Sequence, residues 1–406
     1  MNPVDNAFIL ICAALVLFMT PGLALFYGGL VRSKNVLSTV MHSVFMMGLV
    51  SVLWALVGYS LSFGSDIGGV IGGLDYLFLS GVGMGPAQEG GNLSHLTFMI
   101  FQCMFAVITP ALISGAYAER IKFSGFVLFS SLWLLVVYAP MCHMVWGGGL
   151  LGQMGALDFA GGAVVHMSSG AAALACAMLL GKRRGYGREA FIPHNLPMTA
   201  LGAGMLWFGW FGFNAGSALA ADGIAANAFV TTHMAAAAAC VVWVVVEWLH
   251  SGRPTTLGAA SGALAGLVAI TPAAGFVDPW ASLVIGGLAG VVCFGGIMLK
   301  NKLGYDDALD VVGIHGVGGT WGALATGLFA SGIVEFDGVP QVGLFYGNPN
   351  QLWIQFVSVV ITWVFCFVAS VVLFKIVDAV VGMRATDEEE MKGLDITLHS
   401  ETGYQL

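Results

Sequence analysis

The chain has 406 residues, 58% of them hydrophobic and only 9% charged, with a mean hydropathy of +0.88 and a formal net charge of -8. Soluble domains carry roughly 25% charged residues, so an ordinary soluble fold is excluded, and no basic patch is present to meet nucleic acid. The seven cysteines are scattered in or beside apolar runs without a Cys-x-x-Cys pair, and read as small packing residues rather than a disulfide framework or a metal site.

Uncharged stretches of the ~20 residues that a helix needs to cross a bilayer recur along the chain, and about eleven are legible. The first, 7–29, has no basic segment before it and reads as its own insertion signal, not a cleaved one; Arg32 and Lys34 follow it. The second, 38–63, leads into an acidic loop from Asp66 to Glu89, and the third, 96–117, ends at Arg120 and Lys122. The fourth, 124–146, stops at Gly147-Gly148-Gly149, which breaks the chain. The fifth, 160–181, runs into Lys182, Arg183, Arg184 and Arg188. Asp222 separates the sixth, 195–217, from the seventh, 227–249, which Arg253 follows. Asp278 separates the eighth, 257–274, from the ninth, 281–299, which Lys300 and Lys302 follow. The tenth, 309–331, leads to Glu335 and Asp337; the eleventh, 352–382, starts after Asn348-Pro349-Asn350 and ends before Arg384 and Lys392.

With Lys375 snorkelling to the same face, all 14 basic residues fall on one side. Cytoplasmic loops retain positive charge, so the N-terminus is expected outside and the C-terminus in the cytoplasm. The fold expected is an all-α integral membrane protein: a transmembrane domain over 1–382 and a cytoplasmic tail over 383–406, whose acidic residues include Asp387, Glu388, Glu389 and Glu390. Composition alone reads that tail as a solvated end.

Two internal echoes indicate duplication. Ile108-Thr109-Pro110-Ala111 recurs as Ile270-Thr271-Pro272-Ala273, and Asp158, Gly161, His166, Gly170 is echoed by Asp310, Gly313, His315, Gly319. Each echo is offset by five runs, and an odd offset turns the second copy upside down. This predicts an inverted five-plus-five repeat, about 7–181 and 195–331, with a last helix at 352–382 outside it. Such repeats place their site near the midplane at the repeat interface.

An ionisable group in hydrocarbon is costly and faces a bundle interior or a path, so the repeated His166 and His315 are expected to share one pore. Two neutral imidazoles in contact can share and pass a proton, although the same pair could serve as axial haem ligands. Asp158 and Asp310 read as helix N-caps, Asp158 also helping to shape an external cation site, while His42, His143 and His233 have no repeat partner and read as structural. Gly286-x-x-x-Gly290 and Gly318-x-x-x-Gly322 read as close helix packing.

The segments Gly209-Trp210-Phe211-Gly212-Phe213-Asn214-Ala215-Gly216-Ser217, Asp158-Phe159-Ala160-Gly161-Gly162, His143-Met144-Val145-Trp146-Gly147-Gly148-Gly149 and Pro193-His194-Asn195-Leu196-Pro197 closely resemble the ammonium transporter family, over essentially the whole chain. Trp146 favours its bacterial branch over the Rhesus proteins. The resemblance implies a multi-pass plasma-membrane transporter, not an enzyme, without cofactor or metal, assembled as a homotrimer with one pore per subunit. It places an outer ammonium site at Phe105, Trp146 and Ser217 with Asp158 near the mouth, gate phenyls at Phe105 and Phe213, and pore-lining histidines at His166 and His315. Ammonium would be recruited there and deprotonated, and ammonia conducted past a histidine pair that guides it or carries the proton. The tail fragments Lys392-Gly393-Leu394-Asp395 and His399-Ser400-Glu401-Thr402-Gly403-Tyr404 resemble the segment that contacts PII-type regulators at the cytoplasmic face, with Ser400 where the commoner form has Gly. The rival functions are an ammonium sensor signalling through the tail and a bis-His membrane cytochrome.

Overall fold

A computed structural model describes residues 1–87 and 91–404; Glu89, the end of the expected acidic loop, and the last two tail residues lie outside the described residues. Helix covers every apolar run. In chain order the helices are α1 (Pro3–Leu30), α2 (Ser33–Phe63), α3 (His95–Tyr117), α4 (Phe123–Gln153), α5 (Gly162–Leu180), α6 (Leu196–Gly216), α7 (Gly223–Ser251), α8 (Thr256–Ile270), α9 (Pro279–Leu303), α10 (312–329) and α11 (Pro349–Val381). Eight of them, all but α6, α8 and α10, are long and apolar enough by themselves to cross a membrane.

Local chemistry starts each helix where an apolar run begins. Asn2, Ser94, Asn195, Asp222 and Thr255 accept hydrogen bonds from first-turn amides, and Pro3, Pro279 and Pro349 stand where no intrahelical N–H is needed. Small residues then set how near the axes come. A Cβ at Gly286 would strike the Ala235 backbone on α7, and one at Gly170 on α5 would strike the Gly316 backbone on α10, so both helix pairs cross at a separation only glycine permits.

The inverted repeat is visible in matching irregularities. Thr109 and Thr271 each donate to the carbonyl four residues back, near the ends of α3 and α8. The first turns of α5 (Gly162–Met167) and α10 (Val312–Gly316) are both π-helical, and they begin at opposite ends of the bundle. One end carries the Lys and Arg residues; the other carries two short hairpins, Asp66–Ile67 with Ile71–Gly72 and Ser331–Phe336 with Val339–Val342.

The tail is folded, not a solvated strand. After Ile121 and Arg384 form a β-bridge, α12 (Asp387–Lys392) begins in a capping box of Thr386 and Glu389, and α13 (Leu394–His399) packs on α2. The Asp395 carboxylate accepts from Leu37 N at 3.0 Å and Ser38 N at 2.8 Å, and Tyr404 Oη lies 2.9 Å from His194 Nε2.

Candidate functional site

Six of the seven residues singled out by sequence converge on one column. Trp146, near the end of α4, stands edge-on to Phe105 of α3 with ring centroids 6.0 Å apart, and Phe105 lies 4.3 Å from Phe213 of α6. Phe213 stacks at 6.0 Å on His166 of α5, whose Nδ1 is 3.1 Å from Nδ1 of His315 on α10. Ser217 sits one turn beyond Phe213 and donates to its carbonyl at 2.8 Å, which leaves the hydroxyl lone pairs free to accept.

Asp158 is the exception, because its carboxylate does not face this column. Oδ1 accepts from Gly161 N (2.9 Å) and Gly162 N (2.6 Å), Oδ2 from Ala163 N (2.8 Å) and Val164 N (3.4 Å). It caps α5, and its own carbonyl accepts Trp146 Nε1 at 2.9 Å, so it fixes both the turn that bears His166 and the outer tryptophan.

The sequence echo needs one correction. Asp310 does not cap α10: it has φ +60° and pairs with Lys300, whereas Asp307 Oδ2 accepts Val312 N at 2.7 Å. Counting back from each histidine, Asp307 stands eight residues before His315 as Asp158 does before His166, and Asp310 occupies the place of Gly161, itself at φ +119°. The expected Asp-x-x-Gly match had slid three residues, because it aligned residue types and not distances to the histidines.

Two cavities flank the phenyl pair. One of about 570 Å³ opens beside Trp146 and is walled by Tyr59, Tyr76, His95 and Leu219. The other, about 200 Å³, runs from Phe213, His166 and His315 to Arg183, Phe191 and Asp310 at the basic end, past Leu23, Val165 and Leu206. Sequence reasoning missed Trp210, which stacks on His166 at 5.4 Å and donates to Thr271 Oγ1 at 2.9 Å. The signal was there: Trp210 lies in the Gly-Trp-Phe-Gly segment and its acceptor in the repeated Ile-Thr-Pro.

At the basic end, several of the buried charges are paired. Arg183 bonds Glu119 at 3.0 Å and Asp306 at 2.8 Å, and Arg32 bonds the other Glu119 oxygen at 2.9 Å. Burial opposes ionisation of Glu119, yet the two guanidiniums outweigh it and hold its carboxyl below the ordinary range. Asp307 has no such partner: burial first, then the Asp310 charge, push its carboxyl up to about 6. The histidine geometry also decides against haem, since an iron ligated by both rings would hold the two nitrogens about 4 Å apart, at ~2 Å per bond.

A helical bundle of apolar spans that encloses a cavity beside a buried imidazole pair has the architecture of a membrane transporter for a small solute. The Ammonium Transporter Family model matches residues 7–404. The chain is 55% identical over 402 residues to the ammonium transporter of Bacillus subtilis (strain 168), which takes in 99% of this chain and 98% of that one. It is similar to the crystal structure of Saccharomyces cerevisiae Mep2 with a TM-score of 0.89 and 34% identity, over 96% of this chain and 88% of that chain. It is also similar to a structure named "Sensor Amt Protein", with a TM-score of 0.89 and 30% identity, over 97% of each chain. The chain belongs to the Ammonium Transporter Family, and is a multi-pass membrane protein that transports ammonium, in keeping with a plasma-membrane location.

Proposed function

We propose that ammonium is recruited beside Trp146, Phe105 and Ser217, loses a proton there, and crosses as ammonia between Phe105 and Phe213 to the His166–His315 pair. An aromatic face attracts a cation by ~0.5 to 2 kcal/mol, and the Ser217 lone pairs accept one ammonium hydrogen. An unpaired cation in the closed phenyl constriction has no solvent to replace, whereas neutral ammonia enters at far lower cost. Potassium has no proton to shed and is rejected. Asp158 is a positioning residue in this reading: it holds Trp146 and His166 but does not touch the substrate.

The observation that carries the reading is the 3.1 Å contact between like nitrogens of His166 and His315, at the inner side of the phenyl pair, where the cavity is walled by Leu23, Ile108, Val165 and Leu206 before it reaches Arg183 and Asp310. With one Nδ1 protonated and the other accepting, one ring presents Nε2–H to the path and the other a bare Nε2. The pair can therefore donate to ammonia or accept from it.

Eleven spans, a transmembrane unit over 1–382 with the basic end in the cytoplasm, a homotrimer, and a regulatory tail over 383–406 that meets a PII-type regulator complete the proposal. A transporter is favoured over a sensor because the relative at 55% identity is named a transporter, while the sensor-named structure stands at 30%. The test is ammonium uptake by sealed vesicles with current recorded simultaneously. His166→Ala and His315→Ala should each impair selective uptake, and full uptake with unchanged potassium exclusion in the double variant would overturn the pore assignment.

A further inference from the structure

The segment between α5 and α6, residues 181–195, is irregular, yet one of its side chains is held from two directions. The Phe191 ring has the Arg183 guanidinium over it at 4.2 Å and the Arg32 guanidinium at 4.7 Å. Both arms hang from one carboxylate. Glu119 Oε1 accepts Arg32 N at 3.0 Å, Arg32 Nε at 2.9 Å and Asn35 Nδ2 at 2.9 Å, while Oε2 accepts Arg183 Nη1 at 3.0 Å. Glu119 is held at φ +70° and is 2% exposed, so the carboxylate is committed to this arrangement.

The clamped ring is not simply packing for the loop. It lines the same cavity as His166 and His315, at the end where that cavity meets Arg183 and Asp310. A phenyl group there, fixed by cations that are themselves neutralised by Glu119 and Asp306, adds an apolar surface to the mouth without adding net charge. Ammonia can pass such a surface; a hydrated cation cannot without losing its water.

We infer that Phe191 is the inner gate of the conduction path, clamped by Arg32 and Arg183 so that it shields the histidine cavity from cytoplasmic cations. The inference rests on the proposed path and orientation. It makes the two mouths unlike: the outer phenyls close by packing on each other, the inner one by its hold on guanidiniums. Loss of an arm should raise the population of the open mouth without touching the outer site.

The test uses the full chain carrying Leu264→Cys, a cavity-lining position, in vesicles that expose the basic end. A cationic, membrane-impermeant methanethiosulfonate is added outside them and labelling of that cysteine is followed by mass spectrometry. Phe191→Ala should raise its labelling rate about tenfold and Arg32→Gln about fivefold, the shift that loss of one cation–π contact produces, while Phe191→Tyr keeps the slow rate. Arg32 is 24% exposed at its side chain, so Arg32→Gln preserves the test if Phe191→Ala does not fold. Equal, measurable labelling in all variants would show the cavity open to that side and Phe191 not its gate. No labelling in any variant would overturn the gate and, with it, the path to that end.

Discussion

Replacing Asp158 by Asn changes one atom and separates a capping role from direct contact with the cation. The amide oxygen can still accept from Gly161 N and Gly162 N, but the amide nitrogen then faces Ala163 N at 2.8 Å and Val164 N at 3.4 Å, donor against donor. A hydrogen bond to a charged group contributes ~1.5 to 3 kcal/mol and a stranded buried N–H costs ~1 to 3, so relief from burying the charge leaves a net loss of roughly 2 to 4 kcal/mol. The repeat supplies an internal control. The Asp307 carboxylate accepts Val312 N through Oδ2, and its Oδ1 is buried without a hydrogen bond among the described residues, so Asp307→Asn can keep that side-chain bond and removes a buried charge. Thermal unfolding of the solubilised variants, followed by tryptophan fluorescence, should give a clearly lowered midpoint for Asp158→Asn and one no lower than wild type for Asp307→Asn. Equal midpoints for the two variants, or an unshifted Asp158→Asn with impaired uptake, would refute the capping argument and return Asp158 to the substrate.

Trp146→Leu should weaken selection for ammonium over neutral solutes in vesicle uptake, and a Cys placed at Ser217 should be labelled from outside; an unreachable cysteine would remove Ser217 from the outer site. Deleting 385–406 should leave uptake intact but abolish recruitment of a PII-type regulator to washed membranes, and undiminished binding would show that the tail is not the main contact. Asp307 makes a pH prediction whose sign follows from its raised carboxyl. The folded chain binds the extra proton between the ordinary value of 3.8 and about 6, so this group's stabilisation is complete below that window and is lost as pH rises through it. The stability difference between wild type and Asp307→Asn should therefore move by about 2.5 kcal/mol in favour of wild type between pH 8 and pH 4, and a pH-independent difference would contradict it.

The apolar runs were legible because a helix in hydrocarbon must satisfy its own backbone, which leaves composition to mark it. The basic loops and the five-run offset came from the same source. The tail was not legible: its fold depends on Asp395 reaching the amides of Leu37 and Ser38, more than 350 residues away in sequence, and no local pattern carries that contact. Trp210 was passed over because an aromatic in an apolar helix is ordinarily core, and only its contact with His166 sets it apart. The clamp on Phe191 escaped for a related reason, since Arg32, Glu119 and Arg183 read separately as loop charges and become one device only when the loops meet.

The slip in the aspartate register shows why the two histidines meet as they do. Measured from each histidine, the cap stands eight residues back and a left-handed residue five back, and each π turn delivers its ring from an opposite end of the bundle. Two copies related by a two-fold present the same atom to each other, so the contact is between Nδ1 and Nδ1 and not between unlike nitrogens. A hydrogen bond between like nitrogens holds one proton, and therefore the symmetric backbone must carry an asymmetric pair of tautomers. Which ring donates fixes which Nε2 can accept from ammonia, and reversing the choice moves two protons: the shared one from Nδ1 to Nδ1, and the Nε2 proton from one ring to the other. The duplication thus supplies more than two histidines: it supplies a pair with two tautomeric arrangements alike in backbone, between which Trp210 and Phe213, stacked on His166, and the solute with its proton decide.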